Sequence, residues 1–425
     1  MEQKNRIEGV KGSISLVALS CLFISGCFGP PSMNRALLQY DQSLVQSQTE
    51  LLLVNIARLQ EGLPLHFITM GQISAAFEFT ARAGLAATIA EHLTTTNTNK
   101  YVVDFGVTLA EKPTLSFAPL QGKEYGERFF SPLSDKFLFF VHRRGGDTFP
   151  LLRLMARGFD DLTPGNEGWY PNNPAEDQYV KFRQLIAHLE ALTLAGELYI
   201  ERLDYFDEVQ RISISESPRA GDVIAATDKG YKWQKIDERT FALQKRIEGM
   251  PSLTNFDPKD ENKLSNKDKL EIHNAVQPFE KDFVYVELRE TGNNRWPLKG
   301  YFRLRSLSDV FLFLAKNVEN ERPVKLDDST MFILEKHPGK HLRNPVFALE
   351  IRKGSQVPEG EPYAISYKGT WFWIPTILTD PSNQEEKVQT DWNKDTFLTL
   401  YNILQISVVD TSKLLTAPIL TIPAR

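Results

Sequence analysis

From Ile73 to Ile89 every odd position is apolar, while Ser74, Glu78, Thr80, Arg82, Gly84 and Thr88 occupy even ones. A period of two marks an extended strand, whose successive side chains leave opposite faces. After the polar tip Thr94-Thr95-Thr96-Asn97-Thr98-Asn99-Lys100 the alternation returns, with Tyr101, Val103, Phe105, Val107 and Leu109 on one side and Asp104, Gly106 and Thr108 on the other. Glu78, Arg82 and Asp104 all fall on one face, so 73–118 is expected to form an amphipathic β-hairpin. It either lies over a soluble domain or crosses a membrane. Crossing takes about nine to eleven residues per strand with no charge on the lipid face, a test both runs come close to meeting. In that placement Phe77, Phe79, Leu85, Phe105 and Val107 face lipid. A helix over Ala81–Leu93 is a third reading, because Ala83, Ala86, Ala87 and Ala90 favour helix and Leu85, Ile89 and Leu93 recur every four residues.

The N-terminus sets the compartment. Lys4, Arg6 and Lys11 precede an apolar run from Ile14 to Phe23, the length of a signal-peptide core and too short to span a bilayer as a stable helix. Ser25 and Gly26 are small enough for a peptidase to seat them extended, and the thiol of Cys27 is the nucleophile there that accepts a thioether-linked diacylglycerol. Ile24-Ser25-Gly26-Cys27 resembles the lipobox of bacterial lipoproteins; the alternative is an ordinary secretory signal with an incidental cysteine. The resemblance implies that 1–26, Cys21 included, is removed as a signal peptide and that Cys27 carries acyl chains, palmitate among them, on sulfur and amine. Each buried methylene adds roughly 0.8 kcal/mol, so two or more chains make attachment effectively permanent. No thiol then remains for a disulfide, and the core alone must hold the fold. In that family an aspartate directly after the cysteine retains the protein in the inner membrane. Phe28 stands here, which implies the outer membrane, facing the periplasm.

The remaining chain, about 400 residues, exceeds what one core usually organises, so two or three domains are expected. A hydrophobic fraction of 42% with 11% aromatics is that of a globular protein. The net charge is −5, and removing three basic and two acidic residues with the signal makes it −6, which gives no reason to expect nucleic acid as a partner.

In chain order, 27–32 reads as a tether. A helix through Leu37, Leu38, Leu44 and Val45 follows, then a second opened by a Ser47/Glu50 capping box, with Leu51, Leu52, Ile56 and Leu59 on one face and Gly62 and Pro64 ending it. Beyond the hairpin, Thr114–Ala118 reads as a strand, and Pro132–Val141 as a helix with Phe137, Phe140 and Val141 inward. Pro150 opens a helix through Met155, and Glu176–Ala195 is the longest helix, with Tyr179, Phe182, Ile186 and Leu189 on one stripe and Gly196 capping it. Strands are expected at Tyr199–Leu203, Arg211–Ile214 and Val223–Ala226. The acid- and lysine-rich stretch 257–271 reads as a solvated linker, dividing an N-terminal domain, 33–256, from a C-terminal domain, 272–425. In the latter, Phe283–Arg289 and Tyr301–Leu304 are strands, followed by a helix opened by Ser306 and Asp309 with Leu307, Val310, Phe311, Leu314 and Val318 aligned. Trp371-Phe372-Trp373-Ile374 and a helix carrying Phe397, Leu400, Tyr401, Leu404 and Val408 either repeat that unit or share only the stripe of any buried helix. Pro418 and Pro423 make the final strand, Ile419–Ile422, an edge. The fold class expected is α+β, with mixed strands and helices.

Chemistry is sparse. Of His66, His92, His142, His188, His273, His337 and His341, only the last two are close, and Pro338-Gly339 between them breaks any helical metal face. Asp160-Asp161 and Asp327-Asp328 sit beside turn or helix-start signals, where capping competes with paired-carboxylate chemistry. No nucleophile elbow, phosphate-binding loop or zinc-protease motif occurs, so neither a catalytic residue, a cofactor nor a metal is expected. Arg143-Arg144-Gly145-Gly146-Asp147 reads as a polar turn. The loop Gly165–Pro171, with Trp169 and Tyr170, either grips a glycan or packs down.

Tyr40-Asp41, the run Glu50–Leu59, Lys112–Gly122, Phe372-Trp373-Ile374 and Thr421-Ile422-Pro423 resemble a group of uncharacterised proteobacterial envelope lipoproteins over most of the mature chain, although 257–271 is more charged here. The resemblance transfers no catalytic residue. Three classes of function remain open. The first is a lipid-anchored outer-membrane lipoprotein serving as a structural or binding component of a cell-envelope assembly, with envelope proteins or further copies of itself as partners. The second is an oligomeric pore or export subunit in which each copy donates its hairpin to a shared barrel. The third is an enzyme whose residues meet only in space.

Overall fold

The computed structural model describes residues 29–88, 100–119, 121–133, 136–213, 218–277, 282–291, 294–318, 344–408 and 420–423. Cys27, the tip 94–99, the Asp327-Asp328 pair, His92, His337 and His341 lie outside them. The chain runs α1 (Gly29–Gln60), β1 (Ile68–Thr88), β2 (Lys100–Pro119), α2 (Lys123–Phe130), α3 (Lys136–Arg143), α4 (Thr148–Met155), β3 (Ala156–Asp161), β4 (Gly168–Pro171), α5 (Tyr179–Leu194), β5 (Tyr199–Arg202), β6 (Tyr205–Ser213), α6 (Ala220–Asp228), β7 (Tyr231–Lys235), β8 (Thr240–Ile247) and β9 (Pro251–Thr254). It continues through α7 (Asn266–Val276), β10 (Phe283–Leu288), β11 (Leu298–Leu304), α8 (Leu307–Lys316), β12 (Arg352–Gly354), β13 (Ala364–Tyr367), β14 (Thr370–Trp373), α9 (Gln384–Val408) and β15 (Leu420–Pro423). This is an α+β protein with mixed sheets.

The centre is a six-stranded sheet in the order β4-β3-β11-β10-β9-β5, antiparallel except where β9 and β10 run parallel. Alternation along its middle strands builds two cores. Val284, Val286, Leu288, Leu298 and Phe302 face the larger one, where Phe302 meets Phe159 of β3 at 5.0 Å and Phe182 of α5 edge-on at 6.1 Å. Tyr285 and Tyr301, directly opposite each other in register, face the smaller one with Leu203, Met250, Phe256, Leu264 and Ile272. Both faces of the sheet are therefore covered, which explains its near-continuous apolar strands.

Strands on either side of 257–271 lie side by side, β3 against β11 and β9 against β10, so the expected boundary falls inside one shared sheet. The charges there are absorbed locally. Asp257 and Asp260 accept hydrogen bonds from the amides of Lys259 and Asn262, Ser265 and Asp268 cap α7 reciprocally, and Leu264 and Ile272 are left to cover the second face. Val223–Ala226, expected as a strand, belongs instead to α6. Four consecutive apolar residues set no period, and two of them are alanines that favour helix, while the Asp222 side chain accepts from the Arg219 amide at the helix start. The break expected at Ser47 is likewise missing, because Glu50 is held by Gln46 one turn earlier rather than by Ser47, and α1 runs on from Gly29, inside the expected tether. At the other end Gly62, at φ 71°, lets the amides of Gly62 and Leu63 return to Leu59 and Arg58, a left-handed cap that a side chain would strain. The two strand-helix units of the C-terminal part sit in different sheets, β11 in the six-stranded one and β14 between β12 and β13, so they share a stripe and not an arrangement.

Two buried arginines fasten the central layer. Arg305 points its guanidinium at the C-terminal end of α4, donating to Leu154 O at 3.2 Å and to Ala156 O, and to Asn172 O at 2.9 Å, while stacking 3.8 Å from the Phe313 ring. A cation suits a helix C-terminus, whose last carbonyls lack partners. Burial pushes Arg305 down to about 9, which leaves it charged at neutral pH. Arg153, with no exposed surface, donates to Pro345 O at 2.7 Å, Val346 O at 2.9 Å and Tyr179 Oη at 2.6 Å, pinning 344–346 to α4 and α5.

Candidate functional site

The point at which the hairpin leaves the body is built with more care than the hairpin's length alone would need. Strand β1 spans 21 residues and β2 spans 20, paired antiparallel from Ile68↔Pro119 to Thr88↔Lys100 with one irregularity between Met70 and Ile73. Strands of globular proteins usually run about three to ten residues. The register sets Phe79 opposite Leu109, Ala81 opposite Val107, Ala83 opposite Phe105 and Leu85 opposite Val103, so the two alternating apolar sets coincide. Phe77 is paired with Glu111 about midway along the hairpin, nine residues from Ile68 and eleven from Thr88. Ala81–Thr88 is strand, which sets aside the helical alternative over those residues. β15 pairs with 114–117 of β2 as the edge of a three-stranded sheet, as its prolines require.

At the root, fully buried Asn55 of α1 accepts from the His66 amide at 2.7 Å through Oδ1 and donates from Nδ2 to His66 O at 3.0 Å and Leu51 O at 2.8 Å. The carboxamide pairs with both the N–H and the C=O of one residue, so it fixes the direction of the chain as well as its position. Phe67 follows, packed on Phe129 of α2 at 5.8 Å and edge-on to Phe311 of α8 at 5.2 Å. On the outgoing side Gly122, at φ 99°, turns the chain from β2 into α2, where Tyr125 stacks on Phe129 at 5.2 Å. Burial pushes the Tyr125 hydroxyl up to about 12, so it stays neutral. Asn55 was not singled out from the sequence, although an amide inside Leu51-Leu52-Leu53-Val54-Asn55-Ile56 is the signal that carried it.

Beside the root runs a groove of about 530 Å³, floored by Leu133 and Phe137 and flanked by Arg128, Phe140 and Ile406. Phe140, expected inward, is 45% exposed: α3 stops at Arg143, and the Arg144 guanidinium sits 4.1 Å over its outer ring face. Phe130 and Ile406 are exposed as well.

The sequence's other candidates are not brought together here. Asp160 bonds Arg303 at 2.8 Å, whereas Asp161 accepts from Tyr170 Oη and the Thr163 amide, both at 2.8 Å, so each carboxylate has its own structural task. In the Gly165–Pro171 loop Tyr170 and Pro171 are buried, whereas 165–169 are exposed; Trp169, 36% exposed, lies over Gly158, where a Cβ would come within 2.4 Å of its ring, and 5.0 Å from the Arg303 guanidinium. Asp147 is the N-cap of α4, accepting from the Phe149 amide at 2.9 Å, with Pro150 in the first turn where no donor is needed. His188 lies against Trp296 and 2.9 Å from Asn294 Oδ1; burial lowers its pKa while that contact acts the other way. Among the described residues no group of His, Cys, Asp and Glu is arranged to hold a metal, and no helix is long and apolar enough to cross a membrane.

Fold and junction together give an α+β body with a long β-hairpin, the residue His66 before it bonded to Asn55 of α1. No protein-family model, curated protein or solved structure matches the chain.

Proposed function

We propose that this chain is a lipid-anchored outer-membrane lipoprotein, attached through Cys27, and that it serves as a structural or binding component of a cell-envelope assembly on the periplasmic face. The observation that carries the reading is the Asn55–His66 junction: a helix beginning two residues after Cys27 is bonded directly to the residue before the hairpin root, so anchor and hairpin are mechanically coupled. An anchor that merely retained a protein would work equally well on a flexible tether. The resemblance to envelope lipoproteins points the same way. Cys27→Ser is expected to abolish incorporation of labelled palmitate and release the protein from the outer-membrane fraction. Palmitate entering the variant, or an unchanged fractionation, would defeat the reading.

A second reading, an oligomeric pore subunit, is favoured by strand length. At about 3.4 Å per residue the hairpin extends well beyond bilayer thickness, and a lone hairpin in lipid leaves backbone groups on its edges that neighbouring copies must pair. Val107→Arg is then expected to cost about 2–4 kcal/mol near the midplane and block insertion while the body melts normally. If the hairpin instead covers a core, the same change lowers the melting temperature of the body and leaves membrane extraction as it was.

A further inference from the structure

The groove beside the hairpin root has the composition of a surface that meets lipid. Phe140, 45% exposed, and Ile406, 57% exposed, line the groove from two different helices, and Phe130, 67% exposed, ends α2 one residue before Ser131 of the same lining. Large apolar side chains left in water singly need no explanation, but several around one open groove mark a docking surface. The charges beside them select the partner. Although the chain as a whole is acidic, and α2 balances Lys123 and Arg128 against Glu124 and Glu127, with Lys123 3.6 Å from Glu127, the end of α3 and its following turn add the exposed Arg143 and Arg144 with no acid between Lys136 and Gly146. Arg128 and Arg143 fall in the last turns of α2 and α3, and Arg144 lies on the Phe140 ring. Aromatic and aliphatic side chains flanked by arginines are suited to the boundary where acyl chains meet anionic headgroups: rings enter the apolar side and guanidinium groups reach phosphate.

The location supports the same partner. Phe129 of α2 packs on Phe67 at the hairpin root at 5.8 Å, and its neighbours Arg128 and Ser131 line the groove, so the groove adjoins the root. Helix α1 passes the same region, with Gln48 accepting from Tyr401 Oη at 2.5 Å and Gln405 Nε2 at 3.1 Å, the latter one residue from Ile406, before continuing outward towards Gly29.

We propose that Phe130, Phe140 and Ile406, with Arg128, Arg143 and Arg144, form a membrane-contact face that seats the body on an anionic bilayer surface beside the hairpin root. This rests on the membrane-anchored reading above and goes beyond it, since an anchored protein need not touch lipid with its folded body.

The test is a nitroxide label at Phe130→Cys, Phe140→Cys and Ile406→Cys, one at a time, in the full-length lipidated protein reconstituted into vesicles of phosphatidylethanolamine and phosphatidylglycerol. Ile224→Cys, at an exposed position on α6, is the control. At positions 130, 140 and 406 collisions with oxygen are expected to exceed those with a water-soluble nickel chelate severalfold, and at position 224 the ratio inverts. Replacing phosphatidylglycerol by phosphatidylcholine, or combining Arg128→Gln with Arg144→Gln, is expected to lower the ratio at 130, 140 and 406 at least twofold. Labels that stay aqueous on vesicles that carry the protein overturn the contact face and leave the anchored reading intact. Protein that does not float with the vesicles at all overturns both. Labels shielded from oxygen and nickel alike overturn the lipid contact in favour of a second copy of the chain. Because the three positions are independent and exposed, a fold lost at one leaves the other two to decide.

Discussion

Arg153→Ala is expected to lower the stability of the body by about 3–5 kcal/mol, read as a lower guanidinium chloride midpoint with an unchanged slope. The side chain has no exposed surface and its guanidinium holds Pro345 O, Val346 O and Tyr179 Oη, with the Trp392 ring 5.2 Å away. Truncation leaves Pro345 O without this donor in a dry interior, at roughly 1–3 kcal/mol, and adds the cost of the cavity. Val346 O keeps a bond from Tyr179 Oη, so its loss is smaller. Two further variants apportion the effect. Arg153→Met retains the apolar stem and isolates the hydrogen bonds, while Arg153→Lys keeps the charge on a compact ammonium that cannot match the planar fork. Protease cleavage near 344–351 is expected to accelerate in step with the loss, because that segment is what the arginine pins. A loss below about 1 kcal/mol for the alanine variant would mean that neighbouring side chains, not Arg153, hold the segment.

The features legible in the sequence were those that a few adjacent residues decide. Ser306 and Asp309 cap α8 as their spacing requires, and the Leu307-Val310-Phe311-Leu314 stripe is buried behind them. The stripe of α5 and the caps at Gly62 and Gly196 follow from the same local rules. What escaped depends on partners far along the chain. Nothing near Asp257–Glu271 announces that β3 pairs with β11 about 140 residues away; charge density there looked like a linker because turn-forming aspartates and a capping box are as polar as disordered chain. Phe140 occupied a position that helical spacing assigns to the interior, yet whether a stripe is covered is decided by the neighbour. On α3 the outer part of that stripe faces the open groove. Asn55 was hidden for the opposite reason: a polar residue inside an apolar run reads as an imperfection until the peptide it binds, eleven residues later, is placed beside it. At the candidate site, therefore, the alternation of the hairpin was readable, and the junction that aims it was not.

Gly300→Ala is expected to cost about 2–4 kcal/mol, although alanine suits a strand better than glycine does in isolation. A Cβ built on Gly300 would sit 2.0 Å from Asp160 O and 2.6 Å from Phe159 Cζ. The first is main chain, which cannot rotate away, so β11 and β3 must separate locally or Phe159 must leave the core. That pair of strands joins the two parts of the chain into one sheet, with Gly300 opposite Asp161. The strain is therefore transmitted to both sides. Amide hydrogen exchange is expected to rise in parallel in β3 and β10, and far- and near-ultraviolet dichroism are expected to follow one lowered transition. Gly126→Ala is the control of opposite sign: in α2 its Cβ meets nothing within 4 Å, and alanine there is expected to stabilise by about 0.4–1 kcal/mol. If Gly300→Ala instead released protection in β10 and β11 while β3, β4 and α5 kept theirs, the two parts would be separate folding units even though β10 and β11 lie between β3 and β9. The shared sheet would then be a contact between domains and not the element that makes them one.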